Sequence, residues 1–294
     1  MQARIGLWVS QGGRLDIRQQ LPISPSMLQP DEYLIRVLYS GLNPADQKHS
    51  IFLGICDLVA GYDFAGTVVA RGSDRLSLLP GALVCGLART GLCIGNQQSG
   101  LHGAHQQFLV ASAKGVFPLP AHTSDEELQV LATMPAVTAT AADCLFGLLG
   151  LDATPSAKNK APLLVWGAAL PLATPSSKAM RELSPGSHDE GCLRLAIDAT
   201  GMNHADIYSI LADASAEAHA DGAIVADKVR WAIRHLGSQF HQVPVEVLDG
   251  GWPALIPGVT RVSAGGMSFG KLVFRMPQEE DEGTGSVAGA EKLV

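Results

Sequence analysis

The sequence lacks several features that would indicate particular classes of protein. Its five cysteines are an odd number without a Cys-x-x-Cys pair, so neither a disulfide framework nor a structural zinc site is indicated. No basic block offsets the net charge of -7, which argues against a nucleic-acid or anionic-membrane partner. No apolar run reaches the roughly 18 residues of a membrane-spanning helix. We therefore expect a soluble cytoplasmic protein that binds small molecules or proteins.

The amino-terminal half has the pattern of an antiparallel β domain. A chain of 294 residues, 47% of them hydrophobic, is long enough for two folded domains. Short apolar runs such as YLIRVLYSGL (33–42) and DFAGTVVARG (63–72) are separated by residues rich in glycine and proline. This pattern predicts a barrel-like β domain, to which we assign residues 1–152.

Helical spacing replaces the strand pattern after Ser124. Three acidic residues follow Ser124, as expected for an N-cap and a first turn that complements the helix dipole. Pro135 is expected to separate this helix from a second one.

A buried strand at 163–167 that leads into a small-residue turn begins the second half, as in dinucleotide-binding domains. We assign this domain to residues 160–242 and expect the strands within 243–276 to return to the first domain. The acidic tail at 277–294 is expected to be disordered. The remaining predicted elements are strands at 193–201, 243–248 and 271–276 and helices at 203–219 and 225–237.

The turn after the strand at 163–167 is poor in glycine. It contains only Gly167, and Pro171 and Pro175 stand where a phosphate-binding helix would begin. Glycine lets the backbone approach a pyrophosphate, whereas proline removes an N–H that could face it. The 25 residues at 168–192 leave room for one helix and a loop. The sequence therefore predicts a shortened nucleotide domain.

Several segments together resemble one family in their order along the chain. They are SGLNPADQKH (40–49), GYDFAGTVVARG (61–72), MPAVTATAADCLFGLLGL (134–151), LLVWGA (163–168), LAIDATG (195–201), GGW (250–252) and FGKLVFRM (269–276). The sequence resembles the medium-chain dehydrogenases/reductases, and in particular the fungal trans-acting enoyl reductases of polyketide biosynthesis. The resemblance implies an α/β, two-domain fold: a GroES-like β-barrel catalytic domain and a truncated Rossmann-like parallel-sheet domain.

The resemblance also implies the chemistry. It implies NADPH-dependent hydride transfer to the β-carbon of an enoyl thioester, with protonation at the α-carbon. The implied partner is a polyketide synthase or hybrid synthase whose acyl carrier protein bears the substrate. Zinc-dependent relatives have a cysteine ligand where this chain has Asn43, and the lobe with four cysteines is absent. No metal is therefore expected.

The resemblance assigns the candidate site residues. Lys48 and Thr140 are the catalytic candidates, because each can donate a hydrogen bond in the cleft. The substrate-binding candidates are Met134, Pro135, Thr138, Thr140 and Ala141. The cofactor-binding candidates are Asn43, Pro44, Ala45, Asp46, Gly167, Ala168, Ala169, Asp198, Gly270 and Lys271.

Other polar residues have local explanations. Asn43 and Asp46 flank Pro44, and their side chains could simply satisfy backbone groups of a turn. Tyr62, where many relatives have a histidine, is interpreted as a packing residue. His102 and His105 are expected in a solvated loop, as are His188 and Asp189.

Two alternatives to a reductase remain. One is a cofactor-independent protein on the same scaffold, either a pseudoenzyme that binds a synthase or a cyclase or isomerase that works by positioning its substrate. The other is a decayed or mis-spliced product that folds poorly, because the loss of internal strands exposes edges.

Overall fold

The computed structural model describes residues 4–88, 100–148, 163–166, 195–198, 222–238, 243–267 and 270–278. The chain divides into two compact units, residues 1–137 with 232–294 and residues 138–231. The domain ranges proposed from the sequence stay a prediction. The predicted disordered tail lies almost entirely outside the described residues, as does the predicted helix at 203–219.

Twelve strands and five α-helices are described. The strands are β1 (Arg4–Val9), β2 (Leu15–Gln20), β3 (Glu32–Gly41), β4 (Leu58–Val59), β5 (Asp63–Arg71), β6 (Leu83–Leu87), β7 (Phe108–Ser112), β8 (Val116–Pro118), β9 (Leu163–Trp166), β10 (Leu195–Asp198), β11 (Val245–Leu248) and β12 (Lys271–Arg275). The helices are α1 (Ala45–Leu53), α2 (Asp125–Leu131), α3 (Pro135–Ala142), α4 (Gly222–Arg234) and α5 (Trp252–Ser263). A π-helical segment, Asp143–Leu148, follows α3.

The first unit contains two sheets. The larger has the order β11-β12-β3-β5-β6-β8, with β7 also paired to β3, and the smaller has the order β2-β1-β4. β12 runs antiparallel to the end of β3, with Phe274 opposite Ser40, so strands from the end of the chain lie in the same sheet as those from its beginning. Three pairs of strands are antiparallel: β3 with β5, β5 with β6, and β3 with β7. This pairing agrees with the alternating pattern of these segments.

One hydrophobic core joins the two sheets. Leu7 of β1, Ile35 of β3 and Phe64 of β5 are all fully buried in the same cluster. Phe274 of β12 and Leu255 of α5 belong to it as well. The core of the first unit is therefore built from both ends of the chain.

The helix after Ser124 begins as predicted. The Ser124 hydroxyl accepts a hydrogen bond from the Glu127 N–H, and the Glu127 carboxylate accepts one from the Ser124 N–H. This capping box satisfies two N–H groups that a helix start leaves free. Pro135 begins α3 and separates it from α2, as the sequence predicted.

One stretch of the described residues, Asp125–Phe146, is long and apolar enough to cross a membrane by length and composition alone. In the structure α2 ends before α3 begins within this stretch. Leu128, Leu131 and Met134 are buried inside the protein. Core helices have the same composition, so the stretch is weak evidence for a membrane span.

The described part of the second unit includes a parallel pair of strands. β9 and β10 are in register, with Leu163 opposite Leu195 and Trp166 opposite Asp198. Parallel neighbours need a crossover connection, which is the basis of the Rossmann-type sheet. Together with the mainly antiparallel first unit, in which only β11 and β12 are a parallel pair among the described strands, this pair confirms the predicted α/β class.

Candidate functional site

A group of polar side chains lies at the start of α1, inside the first unit. All except one are buried, and the exception, a lysine, is partly buried. They come from β3, from the first turn of α1, from the start of β5, from the segment before β7 and from the start of β12. We call this group the buried polar cluster. Its members are Ser40, Asn43, Asp46, Asp63, His105 and Lys271.

One half of the cluster is centred on Asp46. Its Oδ2 accepts a hydrogen bond from the backbone N–H of Asn43 (2.8 Å) and lies 3.0 Å from Nε2 of His105. The other ring nitrogen of His105 lies 2.9 Å from the Ser40 hydroxyl. Asp46 Oδ1 is buried without a hydrogen-bond partner among the described residues. The backbone role foreseen for Asp46 is present, but its carboxylate also fixes a buried histidine.

The other half of the cluster is centred on the Asn43 side chain. Its Nδ2 donates to Asp63 Oδ2 (2.8 Å), and its Oδ1 accepts from the Lys271 ammonium (2.8 Å). The second Asp63 oxygen accepts the backbone N–H of Ala136, in the first turn of α3, at 2.5 Å. Asn43 and Asp63 thus connect β12, β5 and the start of α3.

Burial dominates the electrostatics of this half. Burial raises the pKa of Asp63 to about 6, although the charge of Lys271 and hydrogen bonds from Asn43 and Ala136 lower it. Burial also lowers the pKa of Lys271, against the opposing effect of the Asp63 and Asp46 carboxylates. Each shift disfavours the charged form, as expected for ionisable groups removed from water.

The remaining candidates near α1 have distinct environments. Pro44 is the N-cap of α1 and Ala45 is its first residue, and Gly270, which precedes β12, has φ of +146°. Lys48 is partly exposed on α1, and its ammonium makes no hydrogen bond or ion pair with a described residue. On the same helix, Nδ1 of His49 lies 2.6 Å from the Tyr62 hydroxyl.

The candidates around α3 differ in exposure. Met134 is fully buried, and Pro135 is the first residue of α3. The Thr138 hydroxyl is buried without a hydrogen-bond partner among the described residues. Thr140 and Ala141 are exposed.

Three cofactor candidates, Gly167, Ala168 and Ala169, lie outside the described residues. Asp198 is the last residue of β10. The segment with His188 and Asp189 also lies outside the described residues. The roles assigned to these positions stay predictions.

Some residues were missed by the sequence analysis. The expectation that His105 lies in a solvated loop is wrong, because its side chain is fully buried between Ser40 and Asp46. Asp63 was not singled out, although an acid at the start of an apolar strand is a usable signal. The partners of both residues are far away in sequence, so spacing alone does not reveal them.

The described side chains differ in how well they suit a metal ion and the cofactor. Among them, no three His, Cys, Asp or Glu side chains are grouped to hold a metal ion. For NADPH, the Lys48 ammonium and the Thr138 hydroxyl each lack a hydrogen-bond partner among the described residues. Such groups fit the carboxamide and ribose hydroxyls of a nicotinamide nucleoside, which bind by hydrogen bonds.

The sequence is similar to one domain family and to several enoyl reductases. Residues 29–121 match the alcohol dehydrogenase GroES-like domain. A trans-enoyl reductase of Trichoderma harzianum is 34% identical over 140 residues, which cover 47% of this chain and 36% of that protein. A trans-enoyl reductase of Aspergillus flavipes is 29% identical over 244 residues, which cover 81% of this chain and 65% of that protein. The matched regions thus span between about a third and two thirds of these relatives.

Solved structures agree on the fold. The CurK enoyl reductase is similar with a TM-score of 0.54 and 16% identity, covering 93% of this chain and 99% of that one. A quinone oxidoreductase from Coxiella burnetii has a TM-score of 0.57 and 16% identity, covering 94% and 100%. The chain therefore has the medium-chain dehydrogenase/reductase fold with an alcohol-dehydrogenase-type GroES-like domain, and its sequence resembles the fungal trans-enoyl reductases.

Proposed function

We propose that the chain is an NADPH-dependent oxidoreductase, a trans-acting enoyl reductase that reduces an enoyl thioester in polyketide biosynthesis. The observation that carries the proposal is the similarity to trans-enoyl reductases, which extends over 81% of the chain in one relative. Lys48 supports it, because its ammonium bonds to no described residue and a reductase of thioesters needs a donor for the carbonyl oxygen. The substrate is carried by the acyl carrier protein of a polyketide or hybrid synthase in the cytoplasm.

The residues of the chain bind, polarise and position the substrate. NADPH, when bound, supplies the hydride that adds to the β-carbon. Lys48 donates a hydrogen bond to the thioester oxygen as negative charge develops on it, and Thr140 is the second donor. Thr138 holds the carboxamide or the thioester, and Met134, Pro135 and Ala141 line the acyl chain. The cofactor is held by residues 43–46, 167–169, 198, 270 and 271.

Two measurements test this proposal. The first is titration of the purified chain with NADPH, followed by nicotinamide fluorescence and by the shift in melting temperature, with NADH as the comparison. The second is NADPH oxidation with a synthetic enoyl pantetheine thioester. We expect saturable binding and oxidation that depends on the thioester.

A matched pair of variants tests the role of Lys48. Lys48→Met is expected to lower kcat about 100-fold, since the loss of one oxyanion donor has effects of this size. Lys114→Met is the control, because Lys114 is exposed and lies in a short helical turn away from α1. Equal loss in both variants, or none in either, would contradict the role of Lys48. A wild-type protein that binds no NADPH would contradict the reductase.

A second candidate function is a cofactor-independent cyclase, isomerase or pseudoenzyme. The observation that favours it is the direct pairing of β9 with β10, which are joined by residues 167–194, a connection of 28 residues. That length suits a single crossover, as expected for the shortened nucleotide domain that the sequence predicts. A stable fold with neither nucleotide binding nor NADPH oxidation would favour this candidate.

A further inference from the structure

Tyr62 and His49 form a pair beside Lys48. The phenol oxygen of Tyr62 lies 2.6 Å from Nδ1 of His49, and the rings meet edge to face with centroids 5.5 Å apart. This distance is short for a hydrogen bond between oxygen and nitrogen. His49 directly follows Lys48 in sequence, so His49 and the catalytic candidate belong to the same turn of α1. The hydroxyl of Tyr62 therefore has a specific partner, whereas packing alone would not require one.

Backbone hydrogen bonds hold the chain at Tyr62 and at the residue before it. Gly61 accepts a hydrogen bond from the Ala104 N–H (3.1 Å), and the carbonyl of Tyr62 accepts one from the Ala88 N–H (2.7 Å). Gly61 has φ of +102°, and a Cβ there would lie 2.6 Å from the backbone nitrogen of His105. Only glycine fits this approach. These contacts fix the backbone at Tyr62 without involving its side chain.

The pair differs from the buried polar cluster in its access to water. Within the cluster, Asp46, Asp63 and His105 are buried, and their hydrogen bonds connect them mainly to each other and to nearby backbone groups. Tyr62 and His49 are only partly buried. A proton donor must regain its proton from solvent after each turnover. A partly exposed histidine can pass that proton on. Among the described side chains near Lys48, this pair is best suited to transfer protons.

We propose that Tyr62 is the proton donor to the α-carbon of the substrate and that His49 renews its proton. This inference rests on the proposed enoyl reduction. Addition of hydride to the β-carbon leaves an enolate, whose electron pair forms the new C–H bond at the α-carbon while the O–H bond of Tyr62 breaks. The resulting phenolate takes a proton from the protonated imidazole ring of His49, and the neutral imidazole that remains takes one from solvent. The overall balance is one hydride from NADPH and one proton from water.

The kinetic test compares Tyr62→Phe with a control Tyr→Phe variant, since both lose a phenol oxygen, and adds a variant of His49. Tyr62→Phe is expected to lower kcat about 100-fold or more, with a much smaller change in KM, since general acids contribute factors of this size. His49→Asn is expected to lower kcat less and to change the pH profile of kcat. Tyr33→Phe is the control, because the Tyr33 hydroxyl also takes part in a hydrogen bond, which it accepts from the Leu78 N–H, but Tyr33 lies in β3.

A second measurement does not depend on NADPH. The imidazole nitrogens of His49 are followed by NMR while a saturated acyl pantetheine thioester is added to the protein without cofactor. We expect the thioester to shift the His49 signal in the wild type and not in Tyr62→Phe. Thermal unfolding of each variant shows whether it is folded.

The possible outcomes separate the two proposals. If the wild type reduces the thioester but folded Tyr62→Phe keeps kcat within twofold, Tyr62 is not the donor and the reductase stands. An unshifted His49 signal at saturating thioester also overturns the inference, because the pair is then away from the substrate. A wild type without reduction overturns both. If Tyr62→Phe does not fold, the wild type alone is used: a His49 signal that shifts with the thioester supports the inference, and one that does not shift overturns it.

Discussion

Replacement of Asp63 by asparagine should change how stability depends on pH. Asp63 is fully buried, and burial raises its pKa from 3.8 to about 6. At about 1.4 kcal/mol for each pH unit, this difference corresponds to roughly 3 kcal/mol. Asparagine has nearly the same shape and no charge, so it resembles the protonated form of Asp63. It retains one acceptor for the Asn43 amide and the Ala136 N–H but cannot serve both.

The direction in which stability changes with pH follows from proton binding. Because the folded protein binds this proton more tightly than the unfolded chain, the stability it contributes is fully present below pH 3.8. That stability is lost as the pH rises through about 6. The free energy of unfolding of the wild type, relative to that of Asp63→Asn, should therefore fall by roughly 3 kcal/mol between pH 4 and pH 7. The difference between the two proteins isolates this residue from all other titrating groups.

The assay is urea denaturation followed by tryptophan fluorescence at several pH values between 4 and 7. Asp31→Asn is the control, because Asp31 is exposed and its replacement makes the same change in net charge. If the difference between wild type and Asp63→Asn is constant with pH, Asp63 does not titrate in this range. If it grows with pH in favour of the wild type, Lys271 and the two amides outweigh burial, and the reasoning is wrong.

Three further changes test other parts of the first unit. Gly61→Ala should cost about 2 kcal/mol more in urea denaturation than Gly81→Ala, because both glycines have positive φ but only the first is crowded; equal costs would contradict the crowding. Ser124→Ala should lower the free energy of unfolding by about 1 kcal/mol through loss of the capping box, and an unchanged denaturation midpoint would contradict that role. Lys271→Met should raise the pKa of Asp63 further, since it removes the nearby positive charge. A pH dependence of unfolding identical to that of the wild type would show that Lys271 does not act on Asp63.

Local signals in the sequence predicted much of the fold. The alternation in the β3 and β5 segments predicted two strands, and the residues around Ser124 and Pro135 predicted where two helices begin. These features depend on neighbours within one or two turns of the chain, so a single sequence reveals them. The strand candidates that became β9 and β10 were also identified by their apolar runs.

Elements that depend on distant contacts were missed. α5 contains Pro257 within the helix, a residue that usually ends one. Its next residue, Gly258, packs closely against Leu248, Leu42 and Leu272, so tertiary packing sustains a helix that its own sequence disfavours. α1 was interpreted as a turn around Pro44. β2 lacks a buried face of its own, since five of its six residues are partly buried and one is exposed.

The sequence predicted only part of the candidate site. The resemblance identified Asn43, Asp46 and Lys271, and hydrogen bonds join these residues in one cluster. Asp63 and His105 complete that cluster, but they lie 20 and 59 residues along the chain from their respective partners Asn43 and Asp46. A contact of this separation leaves no periodic signal in a single sequence.

The buried polar cluster and the Tyr62–His49 pair should respond differently to mutation. Buried charges contribute little net stability, because the loss of hydration offsets their attraction, yet removal of one partner leaves another unpaired. Changes at Asp63 or Lys271 should therefore alter stability and, through the shared hydrogen bonds, the position of α3. Tyr62 and His49 are only partly buried, and the Tyr62 hydroxyl lies 2.6 Å from Nδ1 of His49. Changes there should leave the fold intact and act on proton transfer alone, which makes the pair the better place to separate chemistry from folding.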